Sequence, residues 1–277
     1  MPARDLHRVT IHGAGSDPTL VLVHGLGCDQ TMWRRLLPLL DGFQVVTYDQ
    51  AGCGDADPAA HDPRRHHALA GYAEDLIEIC ADLGLDDVVV VGHSISAMTA
   101  VLAHLRDPDL VIGLVLIAPS PRFEDAVGYA GGFTRREIDD LLGLLSDDYR
   151  GWARAMAPIF MGLPDAPGLA DELADSLVRA DPRIAEELAR IAFLSDFREK
   201  LPLVQCPTLV LQADADPIVP EAVGEFVHGQ IPGSRYAKLT GTGHFPHVRA
   251  AEETGRAIVD FLRPISSFVR RTRERNG

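Results

Sequence analysis

Asp87-Val88-Val89-Val90-Val91-Gly92-His93-Ser94-Ile95-Ser96 is the stretch from which the rest of the chain is read. Its valines are apolar at every position rather than at alternate ones. That predicts a strand covered on both faces, as in a parallel sheet flanked by helices. The run breaks at Gly92, and Ala97–Leu105 behind it has helical character. A serine between a strand and a helix, with small residues two positions to either side, is the pattern of a tight turn that presents a nucleophile. Ser96 stands where that pattern has its second glycine, and it too is small. A helix N-cap is the plainer reading of the motif alone; the strand before it and the helix behind it favour the nucleophile.

Outward from this stretch, Leu20–His24, Gln44–Asp49, Leu114–Ala118, Thr208–Gln212 and Ser234–Leu239 read as further strands. Tyr72–Leu83 places Leu76, Ile79, Cys80 and Leu83 on one helical face, and Gly84 stops it. Strand–helix alternation predicts an α/β fold with a mostly parallel, doubly wound sheet. The alternation ceases over 121–196, where only helical periodicity is seen. Thr134 to Glu137 forms a capping box ahead of Ile138, Leu141, Leu142 and Leu145. Asp181-Pro182 supplies an N-cap and a first-turn proline for a later helix, while Pro158, Gly162, Pro164, Pro167 and Gly168 divide the segment. We expect a core in two parts, 1–120 and 197–277, and a helical lid, 121–196, over the carboxyl edge of the sheet where such folds bind ligands. A second helical layer is the alternative.

Composition narrows the function. Against 26 Lys and Arg stand 40 Asp and Glu, a net charge of −14, which speaks against nucleic-acid binding. The acidity lies in 1–120 (−9) and 121–196 (−7), while 197–277 carries +2, largely through Arg270, Arg271, Arg273 and Arg275. With 46% hydrophobic residues the chain has enough apolar surface to fold. The longest apolar run, Leu110 to Pro119, falls short of the ~20 residues of a membrane span. Residues 1–10 lack the apolar stretch of a signal peptide, and Cys28, Cys53, Cys80 and Cys206 show neither disulfide nor metal spacing. A cytoplasmic protein is expected.

A nucleophilic serine needs a base, and the base an orienting carboxylate, at the ends of later strands. His244 follows the turn Thr240-Gly241-Thr242-Gly243 and is preferred to His247. Asp214 and Asp216 both follow Thr208–Gln212; the local sequence favours Asp216, next to Pro217–Pro220, without excluding Asp214. A calcium loop beginning at Asp214 fails, because Ile218 and Val219 occupy positions that need a ligand and a glycine. At the end of the first strand, His24-Gly25-Leu26-Gly27 frees backbone N–H groups; those of Leu26 and Ile95 are the expected oxyanion donors. Gly25-Leu26-Gly27 meets Gln30, and Gly52-Cys53-Gly54 meets Asp57, where a dinucleotide fingerprint needs its third glycine. No metal or cofactor is implied.

Taken together, His24 to Gln30 with Trp33, Gly92 to Met98, Ser120 to Phe123, Gly131 to Phe133, Trp152, Phe193 to Asp196 and Gly243 to Pro246 resemble the RsbQ-type regulatory hydrolases of the α/β-hydrolase superfamily. That group includes the bacterial stress-response regulator RsbQ and the plant strigolactone and karrikin receptors. The resemblance runs from about residue 6 to 263. Ser96 is similar to the plant members and Cys28-Asp29-Gln30 to the bacterial ones, while Leu26 stands where members commonly carry Phe. The resemblance implies Ser94, Asp216 and His244 as a triad, and a four-helix lid inserted after the sixth strand. It also implies an apolar pocket lined by Leu26, His93, Phe123, Phe133, Trp152, Met156, Phe193, Val219 and Phe245. The expected activity is serine-hydrolase attack on a small apolar ester, lactone or enol ether, with a signalling role in a stress response. The alternative is a ligand sensor whose output is binding a partner, such as a sensor phosphatase, through the lid. A cofactor-free haloperoxidase-like or lyase reaction is the remaining option, since fold does not determine chemistry.

Overall fold

The computed structural model describes residues 1–162 and 167–276. In chain order the elements are α1 (Ala3–Leu6), β1 (Thr10–His12), β2 (Ser16–Val23), β3 (Phe43–Thr47), α2 (Leu69–Leu83), β4 (Val88–His93), α3 (Ser96–Arg106) and β5 (Val111–Ile117). Four helices follow: α4 (Arg135–Asp147), α5 (Tyr149–Met161), α6 (Pro167–Leu177) and α7 (Pro182–Leu194). The chain closes with β6 (Thr208–Ala215), α8 (Glu221–Gln230), β7 (Arg235–Thr242), α9 (Pro246–Arg249) and α10 (Ala251–Asn276). The side chains of Arg270, Arg271, Arg273 and Arg275, and all of Pro164, lie outside the described residues.

The strands form one sheet in the order β1-β3-β2-β4-β5-β6-β7, with β1 antiparallel to β3 and every other pair parallel. The valine run explains why both faces are filled. Val88 and Val90 pack into a cluster with Leu76 and Ile79 of α2 and Met98 and Val101 of α3. Val89 and Val91 point the other way, to Ile258, Phe261 and Leu262 of α10. Successive strand side chains alternate between faces, so an uninterrupted apolar run requires helices on each. Each fully buried valine contributes about 1.5–3 kcal/mol.

The helical insertion lies between β5 and β6, hence after the fifth strand in chain order and not the sixth. Five strands precede it, because residues 3–6 form a turn of helix and contribute none. Nor is the whole of 121–196 helical. Residues 121–133 form a folded-back loop with bridges Glu124–Phe133 and Ala126–Tyr129. The Asp125 carboxylate pins it by accepting the Gly131 and Gly132 N–H groups at 2.8 and 3.0 Å. A Cβ on Gly131 would lie 2.5 Å from the Phe123 carbonyl oxygen, so glycine is required at this close approach. Beyond it the capping box at Thr134–Glu137 and the Asp181 cap form as expected.

Candidate active site

Ser94 sits at the sharp turn between β4 and α3 with φ +58°, a conformation costly for any residue but glycine. Neighbouring strands hold it there: its N–H donates to the Ile117 carbonyl at 2.8 Å. Gly92 makes the turn possible, because a Cβ there would stand 2.3 Å from the Ser96 carbonyl oxygen. Ser96, in the place of a second glycine, has its own task. Its Oγ donates to the His24 carbonyl at 2.6 Å, and Gln50 Nε2 donates to the same oxygen at 2.7 Å. The turn at Ser94 and the glycine loop after β2 are thereby tied together.

His244 follows β7 on a loop carried against α5. A Cβ on Gly243, φ +91°, would meet the Met161 carbonyl oxygen at 2.3 Å, and the His244 N–H donates to the Phe160 carbonyl at 2.7 Å. His244 Nδ1–H donates to Asp216 Oδ2 at 2.8 Å, while Nε2 accepts from Ser94 Oγ at 2.7 Å. The Asp216 side chain is fully buried, and its other oxygen accepts the N–H groups of Ile218 (2.8 Å) and Val219 (3.0 Å). Both oxygens are therefore engaged by donors, which suits an ionised orienting group. Asp214 is exposed and, among the described residues, accepts only from the Gly241 N–H, at 3.3 Å. Among the described residues no cluster of His, Cys, Asp and Glu is arranged to hold a metal.

His93 packs between the rings of His244, Phe245 and His247 at 5.0, 4.6 and 4.6 Å. Burial, reinforced by the neighbouring imidazoles of His247 and His244, pushes its pKa well below the ordinary histidine value. It is neutral, and donates through Nε2–H to the His244 carbonyl at 2.7 Å.

A cavity of about 30 Å³ opens over Ser94. Leu26, His93, Ile95, Phe123, Phe193 and Phe245 border it together with Ser94 and His244. Among the described residues, neither the Leu26 nor the Ile95 N–H is donated to a backbone carbonyl. Phe133, Trp152, Met156 and Val219 do not border the cavity. Phe133 stands behind Phe193, edge-on at 5.9 Å. Trp152 and Met156 belong to α5, and Trp152 packs edge-on against the wall residue Phe160 at 5.9 Å. Val219 is fully buried beside the Asp216 carboxylate. Phe160, Leu177, Ala192 and Ile218 take the wall positions instead. Sequence reading missed Phe160, Leu177 and Ala192 because helical periodicity marks a buried face without saying which turn of it reaches the cavity, and Ile218 because it sits on the loop after β6. His24 and Gln50 were likewise silent, since their bonds join segments 26 residues apart.

A mostly parallel, doubly wound sheet defines the class when its serine sits on a strand-to-helix turn and its Asp and His follow two later strands, here β6 and β7: this is an α/β-hydrolase fold. The chain belongs to the alpha/beta hydrolase family, whose model matches residues 20–257. It is 36% identical to "Karrikin insensitive 2 receptor IA" of Petunia hybrida, covering 96% of each chain. It is 35% identical to "Strigolactone esterase D14" of Arabidopsis thaliana, over 92% of this chain and 94% of that one. The solved structure of a hydrolase from Oleispira antarctica superposes with a TM-score of 0.90 at 34% identity, over 94% of this chain and 96% of the other. The protein is thus an enzyme of the α/β-hydrolase family with carboxylic-ester hydrolases among its relatives, and is of the strigolactone and karrikin receptor type. The resemblance read from its motifs is borne out at that level. Among the described residues no helix is long and apolar enough to cross a membrane.

Proposed function

We propose that the protein hydrolyses a small, neutral, largely apolar ester, lactone or enol ether through Ser94, His244 and Asp216. The observation that carries this reading is the series of two short hydrogen bonds, Asp216 to His244 to Ser94, ending in a small apolar cavity. Ser94 Oγ attacks the substrate carbonyl as His244 Nε2 takes its proton, and Asp216 holds the ring in the Nδ1–H tautomer. The carbonyl electron pair moves to oxygen, facing the N–H groups of Leu26 and Ile95. Collapse expels the leaving oxygen, which takes the proton from His244 and leaves an acyl group on Ser94. Water, deprotonated by the same imidazole, then adds to the acyl carbonyl; the bond to Ser94 Oγ breaks, the serine takes the proton back from His244, and the acid is released. In this reading 121–196 acts as a lid on a core made of 1–120 and 197–277, and Leu26, His93, Phe123, Phe193 and Phe245 shape the acyl site. The free, buried Cys28, Cys53, Cys80 and Cys206 support a cytoplasmic setting.

A second reading rests on the relatives named as receptors. Here the same site senses a ligand, and the helices of 121–196 bind a regulatory partner such as a sensor phosphatase. Intact-mass analysis after exposure to aryl esters and butenolide lactones tests the first reading. An acyl adduct present in the wild type and absent in Ser94→Ala is expected. Equal turnover by both proteins refutes the assignment of Ser94, and ligand-dependent stabilisation without adduct or turnover favours the sensor.

A further inference from the structure

The glycine loop that carries the Leu26 N–H is held at both ends by the core. His24 is tied by Ser96 and Gln50, and at the far end the Gln30 N–H donates to Asp49 Oδ1 at 2.9 Å. Between these ends the loop has a different support. The Asp29 side chain is buried and accepts from the Thr31 N–H at 2.9 Å and from Ser176 Oγ at 2.7 Å. It also accepts from the Arg179 guanidinium, through Nε at 3.1 Å and through Nη2. Ser176 answers in the opposite sense, its Oγ accepting the Asp29 N–H at 3.1 Å. Ser176 and Arg179 stand 147 and 150 residues away, at the carboxyl end of α6 and just past it.

The same end of α6 is part of the cavity wall. Leu177 borders the cavity, and its carbonyl accepts the Tyr149 hydroxyl at 2.8 Å. Gly27, next to Leu26 and at φ +67°, lies against both: a Cβ there would stand 2.9 Å from Tyr149 Oη and 3.2 Å from Leu177 Cδ2. Burial raises the pKa of the Asp29 carboxyl, but the bonds from Thr31, Arg179 and Ser176 together hold it below its ordinary value, so the bracket is charged. A buried carboxylate is costly unless donors surround it, and here Ser176 and Arg179 of the helical insertion supply donors beside those of Thr31.

We propose that Asp29 and Ser176 are positioning residues for the oxyanion hole, which aim the Leu26 N–H only while the carboxyl end of α6 is seated on the glycine loop. This rests on the acyl-transfer reading of Ser94. Closure of the cavity and completion of the hole are then one event, so a substrate that keeps α6 lifted is bound without being attacked efficiently.

The test compares Ser176→Ala and Asp29→Asn with the wild type on 4-nitrophenyl acetate, with rates expressed per active site titrated by a fluorophosphonate. A fall in kcat of about 10- to 100-fold is expected, since losing a whole oxyanion donor costs about 10²–10³, with KM within about twofold. Affinity for a small alkyl trifluoromethyl ketone, whose adduct with Ser94 places an oxyanion in the hole, falls in parallel. Unchanged kcat per titrated site with unchanged ketone affinity overturns the proposal. So does a loss of activity explained wholly by fewer titrated sites, which marks misfolding. Amide hydrogen exchange over residues 25–30 decides the bracket without catalysis: faster exchange in Ser176→Ala supports it and unchanged exchange overturns it. A wild type that neither turns over nor takes the fluorophosphonate on Ser94 refutes the hydrolase reading instead.

Discussion

Replacing Asp216 with Asn removes a charge and an acceptor behind His244 while keeping the shape of the side chain. Asp216 Oδ1 accepts the Ile218 and Val219 N–H groups. The carbonyl oxygen of the substituted amide must remain there, because an amide NH₂ would face two donors. Its NH₂ then occupies the place of Oδ2, 2.8 Å from His244 Nδ1. Two donors cannot face each other, so the imidazole must offer a lone pair at Nδ1 and carry its proton on Nε2. That proton points at Ser94 Oγ, 2.7 Å away, where the base is needed. The wrong tautomer lowers kcat by about 10⁴ in triads of this design, equivalent to about 5.4 kcal/mol at 1.36 kcal/mol per tenfold. Initial rates on 4-nitrophenyl acetate, normalised to titrated sites, measure it directly. Asp214→Asn, altering an exposed group that accepts the Gly241 N–H at 3.3 Å, should stay within about twofold of the wild type. Retention of more than a tenth of kcat in Asp216→Asn, alongside an inert Ser94→Ala, would refute the orientation argument.

The other predictions concern the surroundings. His93 and His247 are buried against each other, and burial lowers both pKa values, that of His247 to about 3. An unfolded histidine takes a proton below about pH 6.5, so from there down to about 3 the unfolded chain binds more protons and stability falls with falling pH. Stability should fall between pH 7 and 5 by up to about 1.4 kcal/mol per pH unit for each such ring, seen as a lower thermal midpoint, and less steeply in His247→Phe. Gly92→Ala sets a methyl 2.3 Å from the Ser96 carbonyl oxygen and 2.8 Å from the Ala97 Cα. Because both are backbone, a loss of about 3 kcal/mol is expected in a denaturation titration. Phe160→Ala removes the ring between Trp152 and His244. It should shift kcat/KM toward butyrate over acetate esters by about tenfold, the scale for a methylene or two in an apolar pocket.

The legible parts of the sequence are those whose causes are short-range. The valine run before Gly92 reads as a two-faced strand because its alternation is absent, and β4 with α2, α3 and α10 around it fulfils that reading. Thr134 and Asp181 announce helix starts because a cap is settled within four residues. The loop 121–133 reads as helical territory in sequence, although Gly128, Gly131 and Gly132 stand in it. Its shape depends on Asp125 reaching back across six residues, which no helical period reveals. Among the aromatic residues of the insertion, composition could not tell Phe123 and Phe193, which reach the cavity, from Phe133 and Trp152, which stand behind it.

By itself, then, the sequence determined the alternation of strands and helices, the tight turn at Ser94 and the glycine loops at the strand ends. Local sterics and hydrophobic periodicity act over a few residues and need no partner. Local sequence leans to Asp216 over Asp214 and the family resemblance implies it, but the tertiary structure is what brings Asp216 to His244 across 28 residues and His244 to Ser94 across 150. It also decided that Ser176 grips Asp29 across 147. Such pairs are specified by where the sheet places each strand end and by which turn of a helix faces inward. Their hydrogen bonds gain strength only once the assembled core has excluded water from around them.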